Sequence, residues 1–313
     1  MSTYFSHLDD NNGVLLLAFV GGFVDAAGYL KLQGVFTSSI TGNLVVASSS
    51  VSSSKGALCR SLVCVSFTLA AAVGAMVAFY SRFAHKLKPH TLFILLLSLE
   101  LVFLVISWIL GHYYDDEIDK SDSLDDDIII LISCLMGISM GFQNTAVKEA
   151  ITSFPATTVM TSTLVNFAYN GSNSLSYYLC TLFASCCGAQ SSTKADRANN
   201  GSDDPAAEAK KVLAEYVDKQ RDFFSKFVGN LKSLLCFTLG ALAGAGSIHG
   251  ISFSSFAVPV GVIVFLIIEI WIKMHENIAA IEKSAPKVVS AAPTVSKEDI
   301  QAVPVESERI DKA

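Results

Sequence analysis

Residues 22–43 read GFVDAAGYLKLQGVFTSSITGN, an apolar stretch that turns polar halfway along. The first half is rich in small residues but contains an aspartate, Asp25, and the second half ends in Thr41-Gly42-Asn43. Asp25 and Lys31 are the only charged residues between positions 13 and 54, which is typical of a segment that enters a bilayer. We therefore predict a membrane helix followed by a polar break in the backbone.

The whole chain has the composition of a membrane protein. Of its 313 residues, 51% are hydrophobic and only 16% are charged, and the mean hydropathy is +0.49. Soluble proteins carry charge on roughly a quarter of their residues. The net charge of -6 is not accompanied by a basic stripe, so a nucleic-acid partner is not expected and the expected partner is the lipid bilayer.

Several long stretches carry almost no charge, and each is long enough to cross the roughly 30 Å hydrocarbon core as a helix. The predicted fold is an all-α, multi-pass membrane bundle of six transmembrane helices. The six predicted spans are residues 14–32, 59–81, 91–111, 128–148, 230–249 and 254–273.

Polar segments connect these spans and set the predicted orientation. Lysine and arginine gather in the 82–90 loop, whereas acids dominate residues 112–127. Because basic loops face the cytosol, we predict an external loop at 112–127 and both termini in the cytosol. The other predicted cytosolic parts are residues 1–13, an insertion at about 171–229, and a disordered tail, 276–313.

The insertion contains aromatic residues at helical spacing among lysines. This pattern predicts an amphipathic helix, which either lies on the anionic inner leaflet or packs against its own protein. The residues concerned are Leu213, Tyr216, Phe223, Phe224 and Phe227.

Four short blocks recur in the same order in two parts of the chain. The pairs are residues 22–27 with 141–146, 41–45 with 161–165, 67–75 with 237–245, and Glu100 with Glu269. The third pair is identical at six of its nine positions. The chain therefore divides into two repeats, 14–111 and 128–275, with three predicted spans in each. An odd number of spans inserts the second copy from the opposite side, which predicts the inverted-topology repeat of secondary transporters.

Residues 22–43, with the Gly141-Phe142-Gln143-Asn144 block behind them, resemble the signature of the YoaK-like family of uncharacterised integral membrane proteins. The resemblance covers most of residues 14–275. It implies a six-span membrane fold and supplies no activity. The insertion and the acidic loop are long for that family.

The polar residues of the first block pair lie on the first and fourth predicted spans, whereas those of the second pair lie in stretches too polar for ordinary spans. They predict broken or re-entrant backbone whose freed polar groups surround a solute site between the repeats. Alternatively, these residues only cap short helices, and Asp25 caps a neighbouring backbone break. The predicted site residues are Asp25, Thr41, Gly42, Asn43, Gln143, Asn144, Thr161 and Thr163.

Acids within spans usually mark the path of an ion or a solute, because a charge in hydrocarbon costs about 3 kcal/mol or more. We predict that Glu100 and Glu269 are coupling or gating acids that take up and release a proton. For Glu269, near the end of a span, the alternative is a side chain that reaches out to the interface.

These patterns favour a secondary transporter that moves an unknown small solute or ion by alternating access. A scaffold or sensor that acts through the insertion and tail is the alternative, and a channel is a third, less favoured reading. No enzyme motif is evident and the histidines avoid the middle of the spans, so we predict no catalytic activity, metal site or cofactor. The oligomeric state stays open.

Overall fold

The computed structural model describes residues 12–50, 56–83, 89–121, 123–124, 126–150, 160–186 and 205–284. Helices account for nearly all of these residues, and no strand occurs among them, so the all-α prediction is confirmed. The elements are α1 (Asn12–Lys31), α2 (Ile40–Ser50), α3 (Ala57–Phe83), α4 (Pro89–Tyr113), α5 (Asp115–Lys120), α6 (Asp127–Ala150), α7 (Met160–Cys186), α8 (Pro205–Ile251), a 3-10 turn (Ser252–Phe256) and α9 (Ala257–Ser284).

Five helical ranges are long and apolar enough to cross a membrane among the residues that the structure describes. They are Asn12–Lys31, Ala57–Ser81, His90–Tyr113, Asp127–Glu149 and Ala214–Glu276. The last range comprises parts of α8 and α9 on either side of the 3-10 turn, so it accounts for the fifth and sixth predicted spans. The chain thus contains five to six apolar helices, as expected of a membrane bundle.

Helices α1 and α8 pack side by side through glycines. A Cβ atom at Gly22 would overlap the carbonyl oxygen of Phe237, and one at Gly240 would overlap that of Phe19. One turn further along both helices, a Cβ at Gly244 would lie 2.5 Å from the Phe23 carbonyl oxygen. The contacts advance together along the two helices, so α1 and α8 run in the same direction.

Helices α3 and α6 form a second crossing of the same kind. A Cβ atom at Gly141 would lie 2.6 Å from the carbonyl oxygen of Phe67, and the Thr145 hydroxyl donates a 3.3 Å hydrogen bond to the Ala71 carbonyl. Gly137, one turn before Gly141, faces Val63. These contacts also advance together, so α3 and α6 are parallel to each other.

One end of the bundle gathers several helix ends around α5, and we call this end the α5 face. Lys31, the last residue of α1, binds Asp115 and Asp119 of α5, and α4 ends immediately before α5. Ser252, which follows α8, also binds Asp115. Helices α1, α4 and α8 therefore end at the α5 face, whereas α3, α6 and α9 begin there.

Helix α7 packs antiparallel to the N-terminal half of α8 through aromatic rings. Phe167 stacks on Phe227 with ring centroids 4.6 Å apart, and Tyr177 stacks on Phe223 at 5.7 Å. Two of the aromatic residues of the predicted amphipathic helix thus face their own protein. Tyr216, at 5.5 Å from Tyr177, and Phe224 keep large exposed areas, whereas the Leu213 side chain lies outside the described residues.

Two apolar clusters form the core of the bundle. One contains Phe23, Phe253 and Phe256 and lies toward the α5 face, and the other contains Leu17 and Leu96 and lies deeper. Many large apolar side chains of the spanning helices instead point outward, including Leu69, Met76, Leu242 and Phe265. Outward-facing apolar side chains are expected where a bundle is surrounded by lipid.

Candidate functional site

The chain folds back into the bundle after α1, as the polar break predicts. Residues Gln33 and Gly34 adopt positive φ angles of 51° and 87°, which reverse the chain direction. Before α2 begins, the chain passes back alongside α1 as far as Asp25. At 1.5 Å per residue, Asp25 lies about 9 Å from the end of α1. We call residues 36–50 the first arm.

Asp25 holds the first arm in this position. Its carboxylate accepts hydrogen bonds from the backbone N–H groups of Thr37 and Ser38, both at 2.9 Å, and from the Ser39 hydroxyl at 2.7 Å. Only 6% of Asp25 is exposed, and Thr37 and Ser38 are buried with it. In hydrocarbon, backbone groups outside a helix need such partners, because no water reaches them.

Asn43 supports the same arm from within α2. Its side-chain amide donates to the Phe36 carbonyl at 2.6 Å, and its side-chain oxygen accepts the Phe36 backbone N–H at 3.0 Å. Asn43 is fully buried, Gly42 packs under the Phe36 ring, and Thr41 is exposed. The two partners of Asn43 are therefore a backbone donor and a backbone acceptor of the arm.

This geometry places the protein's own carboxylate beside the segment that leads into α2. The N-terminus of a helix presents free N–H groups that attract an anion. The Asp25 carboxylate occupies this location through Thr37 and Ser38. The arrangement matches the alternative in which Asp25 caps a backbone break.

The corresponding residues of the second repeat lie at another level of the bundle. The Gln143 side-chain amide donates to the Leu17 carbonyl at 2.5 Å, and Leu17 lies about 12 Å from Asp25 along α1. Asn144 is half-buried and Thr163 is buried, and the Thr161 side chain lies outside the described residues. The structure brings Asp25 and Asn43 together through the first arm and places Gln143 away from them.

Glu100 is the most deeply embedded acid among the described residues. Its exposed fraction is 0%, and neither carboxyl oxygen has a hydrogen-bond partner. It lies on α4 opposite α6, where the Ser139 hydroxyl donates to the Glu100 backbone carbonyl at 3.0 Å. The side-chain oxygens of Gln143 and Ser133, also on α6, are likewise buried without partners. Glu100 thus brings a carboxyl group with unused hydrogen-bonding capacity to the α4–α6 interface.

Glu269, the predicted counterpart of Glu100, has a different environment. Its side chain is 38% exposed and accepts a 2.6 Å hydrogen bond from Lys273, one helical turn later. This geometry matches the alternative of a side chain that reaches outward. The two acids of the repeat pair are therefore not equivalent in the folded protein.

The α5 face contains a polar cluster that sequence reasoning missed. Lys31 forms ion pairs with Asp115 at 2.6 Å and with Asp119 at 2.5 Å, and Ser252 donates to Asp115 at 2.7 Å. Burial opposes ionisation of Asp115, but the hydrogen bonds from Lys31 and Ser252 lower its pKa below the ordinary 3.8. The signal in the sequence was a lone lysine at the end of a span and an acid-rich loop.

Among the residues that the structure describes, no three or more His, Cys, Asp or Glu side chains are grouped so that they could hold a metal ion. The site consists instead of carboxylates, amides and hydroxyls on helices and on the first arm. These groups are suited to binding protons or polar solutes through hydrogen bonds.

Comparison with known proteins places the chain in a family. No curated protein and no solved structure matches it. Residues 13–268 match the family described as protein of unknown function (DUF1275), a range that includes the first predicted repeat, the first arm and most of the second predicted repeat. Since the match covers most of the sequence, the chain belongs to the DUF1275 family of helical membrane proteins.

Proposed function

We propose that this protein is a secondary transporter that moves a small solute by alternating access between two inverted repeats. The observation that carries the proposal is the reciprocal packing of the repeats. Gly22 and Gly141 are equivalent in the sequence repeat, as are Phe67 and Phe237. Gly22 packs on the Phe237 carbonyl, and Gly141 packs on the Phe67 carbonyl.

The contacts beside these two glycines are related by the same sequence equivalence. A Cβ at Gly22 would lie 3.1 Å from the Ala241 backbone nitrogen, and one at Gly141 would lie 3.3 Å from that of Ala71, its sequence equivalent. Helix α1 of the first repeat therefore packs against α8 of the second, and α6 of the second repeat packs against α3 of the first. Such exchange supports a pseudo-twofold axis between the repeats.

The helix directions support inversion of the second repeat. In the first repeat α1 runs toward the α5 face, α3 away and α4 toward it. In the second repeat α6 runs away, α8 toward and α9 away. Opposite directions of equivalent helices are the hallmark of inverted-repeat transporters, in which one half rocks against the other around a central site.

The first arm supports the same function, because transporters of this architecture use discontinuous helices near the bilayer midplane. In this proposal Asp25 positions the first arm, and the solute contacts polar residues around the two breaks. These contact residues are Thr41, Gly42 and Asn43 on the first arm and Gln143, Asn144, Thr161 and Thr163 of the second repeat.

Glu100 is the proposed coupling acid. A buried carboxyl without a hydrogen-bond partner is stable in hydrocarbon as the uncharged acid, and its proton leaves when water or a cation arrives. Glu269 is proposed only as a gating acid at the membrane–water interface, because its carboxylate already pairs with Lys273.

The experiment is uptake of a broad panel of small solutes into proteoliposomes under an imposed proton gradient. We expect at least one solute to accumulate with the wild type, accumulation to disappear with Glu100→Gln, and accumulation to persist with the matched control Glu215→Gln, at an exposed glutamate of α8. Failure of every solute to move would overturn the transporter proposal. Equal uptake by Glu100→Gln would overturn the role of Glu100.

A scaffold is the second candidate, favoured by exposed apolar side chains on the α7–α8 pair. These side chains are Leu175, Leu179, Leu182, Tyr216 and Phe224. The repeat alignment places the insertion at 171–226, opposite the short 51–56 connection of the first repeat. Replacing 171–226 by the 51–56 sequence keeps Phe227 and tests this function: a transporter keeps moving its solute, whereas a scaffold loses its partner.

A further inference from the structure

Lys31 lies at the centre of a network on the α5 face. Its side chain is only 11% exposed and pairs with both Asp115 and Asp119. Its ammonium group also lies 5.8 Å from the centre of the Phe253 ring, within range of a cation–π interaction. One cation thus contacts two carboxylates of α5 and the ring of Phe253, all far from residue 31 in the sequence.

Neighbouring hydrogen bonds extend the network to three segments of the fold. Ser252 donates to Asp115, and the Gln33 side chain donates to the Ser121 carbonyl at 2.5 Å. Gln33 and Ser252 both have positive φ angles, 51° and 50°, a conformation that residues other than glycine adopt at an energetic cost. The network therefore joins the end of α1 in the first repeat, the α5 linker, and the turn between α8 and α9 in the second repeat.

An apolar plug lies directly beneath this network. Phe253 is fully buried, packs against Gly111 of α4, and stacks on Phe256 with centroids 5.7 Å apart. Phe256 in turn meets the Phe23 ring of α1 edge-on at 6.2 Å. The ion pairs and hydrogen bonds at the surface, together with the aromatic rings beneath them, close the α5 face.

The ion pairs of Lys31 are buried on one side and open to water on the other. Removing one partner of a largely buried ion pair leaves an uncompensated charge, which disfavours the closed arrangement. Asp119 is 61% exposed, however, so water competes for the cluster from one side. A hydrated Lys31 separates from its partners without breaking any covalent bond.

We propose that Lys31, Asp115, Asp119 and Ser252 form an ionic latch that keeps the α5 face closed and opens it when Lys31 is released. The use of this latch in transport rests on the proposed function. The closure itself does not, because it is measurable without any solute.

The test uses Cys59 as a reporter, since this buried residue belongs to the same apolar cluster as Phe253 and Phe256. Its own sulfur is retained and the other six cysteines, at 64, 134, 180, 186, 187 and 236, are replaced by serine. The purified protein is reacted with a water-soluble maleimide in the absence of solutes. We expect Lys31→Gln to accelerate Cys59 labelling by about tenfold or more, because the closed state loses its ion pairs.

Two matched variants complete the test. Lys226→Gln removes another lysine that pairs with a carboxylate, that of Asp222, and lies over a phenylalanine ring, that of Phe223, and it should leave labelling unchanged. The charge exchange Lys31→Glu with Asp115→Lys should restore slow labelling, whereas Lys31→Glu alone should not. If Lys31→Gln fails to give a monodisperse protein, Asp119→Asn removes one pair at an exposed side chain and should give an intermediate rate.

Unchanged labelling in Lys31→Gln and Asp119→Asn would overturn the latch, even if a solute is transported. Acceleration by Lys226→Gln as large as by Lys31→Gln would also overturn it. Fast labelling of the latch variants without any transported solute would support the latch and contradict the transporter proposal alone.

Discussion

The Asp25 carboxylate accepts the backbone N–H of Thr37 at 2.9 Å and thereby fixes a chain segment that has turned back into the bundle. The acid is a structural anchor, since its other bonds reach Ser38 and Ser39 of the same segment. An acid within a span is thus explained here by the backbone it satisfies.

Asp25→Ala should therefore lower stability. It leaves the Thr37 and Ser38 N–H groups without acceptors, and each unsatisfied buried donor costs about 1–3 kcal/mol. We expect a clear fall in Tm, measured in detergent by thermal unfolding. The control is Asp218→Ala, at an exposed position of α8. Equal Tm values for the two variants would contradict the anchoring role.

The glycine crossings should be intolerant of a methyl group. Gly240→Ala places a Cβ into the Phe19 carbonyl, so we expect a loss of about 1–3 kcal/mol from overpacking. Gly246→Ala lies on the same helix with nothing within 4 Å, and should be neutral or stabilising by up to about 1 kcal/mol. Thermal unfolding of both variants measures the difference. A Gly240→Ala protein as stable as Gly246→Ala would exclude close packing there.

Much of the fold is readable from the sequence for physical reasons. Stretches without charged residues predicted which segments cross the membrane as helices, because hydrocarbon excludes charged side chains whatever the tertiary structure. The polar Thr37–Asn43 stretch predicted a break for a similar reason, since hydroxyls and amides satisfy freed backbone groups. Neither inference requires knowledge of which helices are neighbours.

The arrangement of the site was not readable in the same way. The direction of the chain after Lys31 depends on positive φ angles at Gln33 and Gly34, which no apolar pattern encodes. Similar aliphatic surroundings likewise made Glu100 and Glu269 look alike. Helix packing buries the first and leaves the second beside Lys273. These outcomes depend on contacts between distant segments.

We expect the buried Glu100 carboxyl to lower the stability of the folded protein and to be required for proton-driven uptake. Glu100→Leu removes a carboxyl whose two oxygens lack partners, so we expect the free energy of unfolding to rise by about 1–2 kcal/mol. Proton-driven uptake should be lost in the same variant. Thermal unfolding and proteoliposome uptake, measured on one preparation, check both parts. A destabilised Glu100→Leu protein would show that the carboxyl has a structural partner in the folded state.

The α5 face should loosen in acid. The pKa of Asp115 is lowered on folding, so its ionised form stabilises the native state fully above the unfolded value near 3.8. This stabilisation is lost as the pH falls through the lower folded value. Lys31 and His112 favour the charged carboxylate, whereas the neighbouring Asp119 carries the same charge.

Asp115→Asn removes this titration. Below pH 4 the wild type should lose more Tm than the variant, and the two curves should converge as Asp115 becomes protonated. Thermal unfolding as a function of pH measures both curves. Parallel curves through the acid range would show that Asp115 makes no pH-dependent contribution to folding.

The length of α8 has a consequence for what surrounds the protein. At 1.5 Å per residue, its 47 residues extend about 70 Å, more than twice the thickness of the oily layer. Tilting by 40° lets the layer accommodate only about 40 Å of helix. About 30 Å of this helix must therefore extend past that layer, and its exposed lysines, Lys219 and Lys226, lie on the part that does.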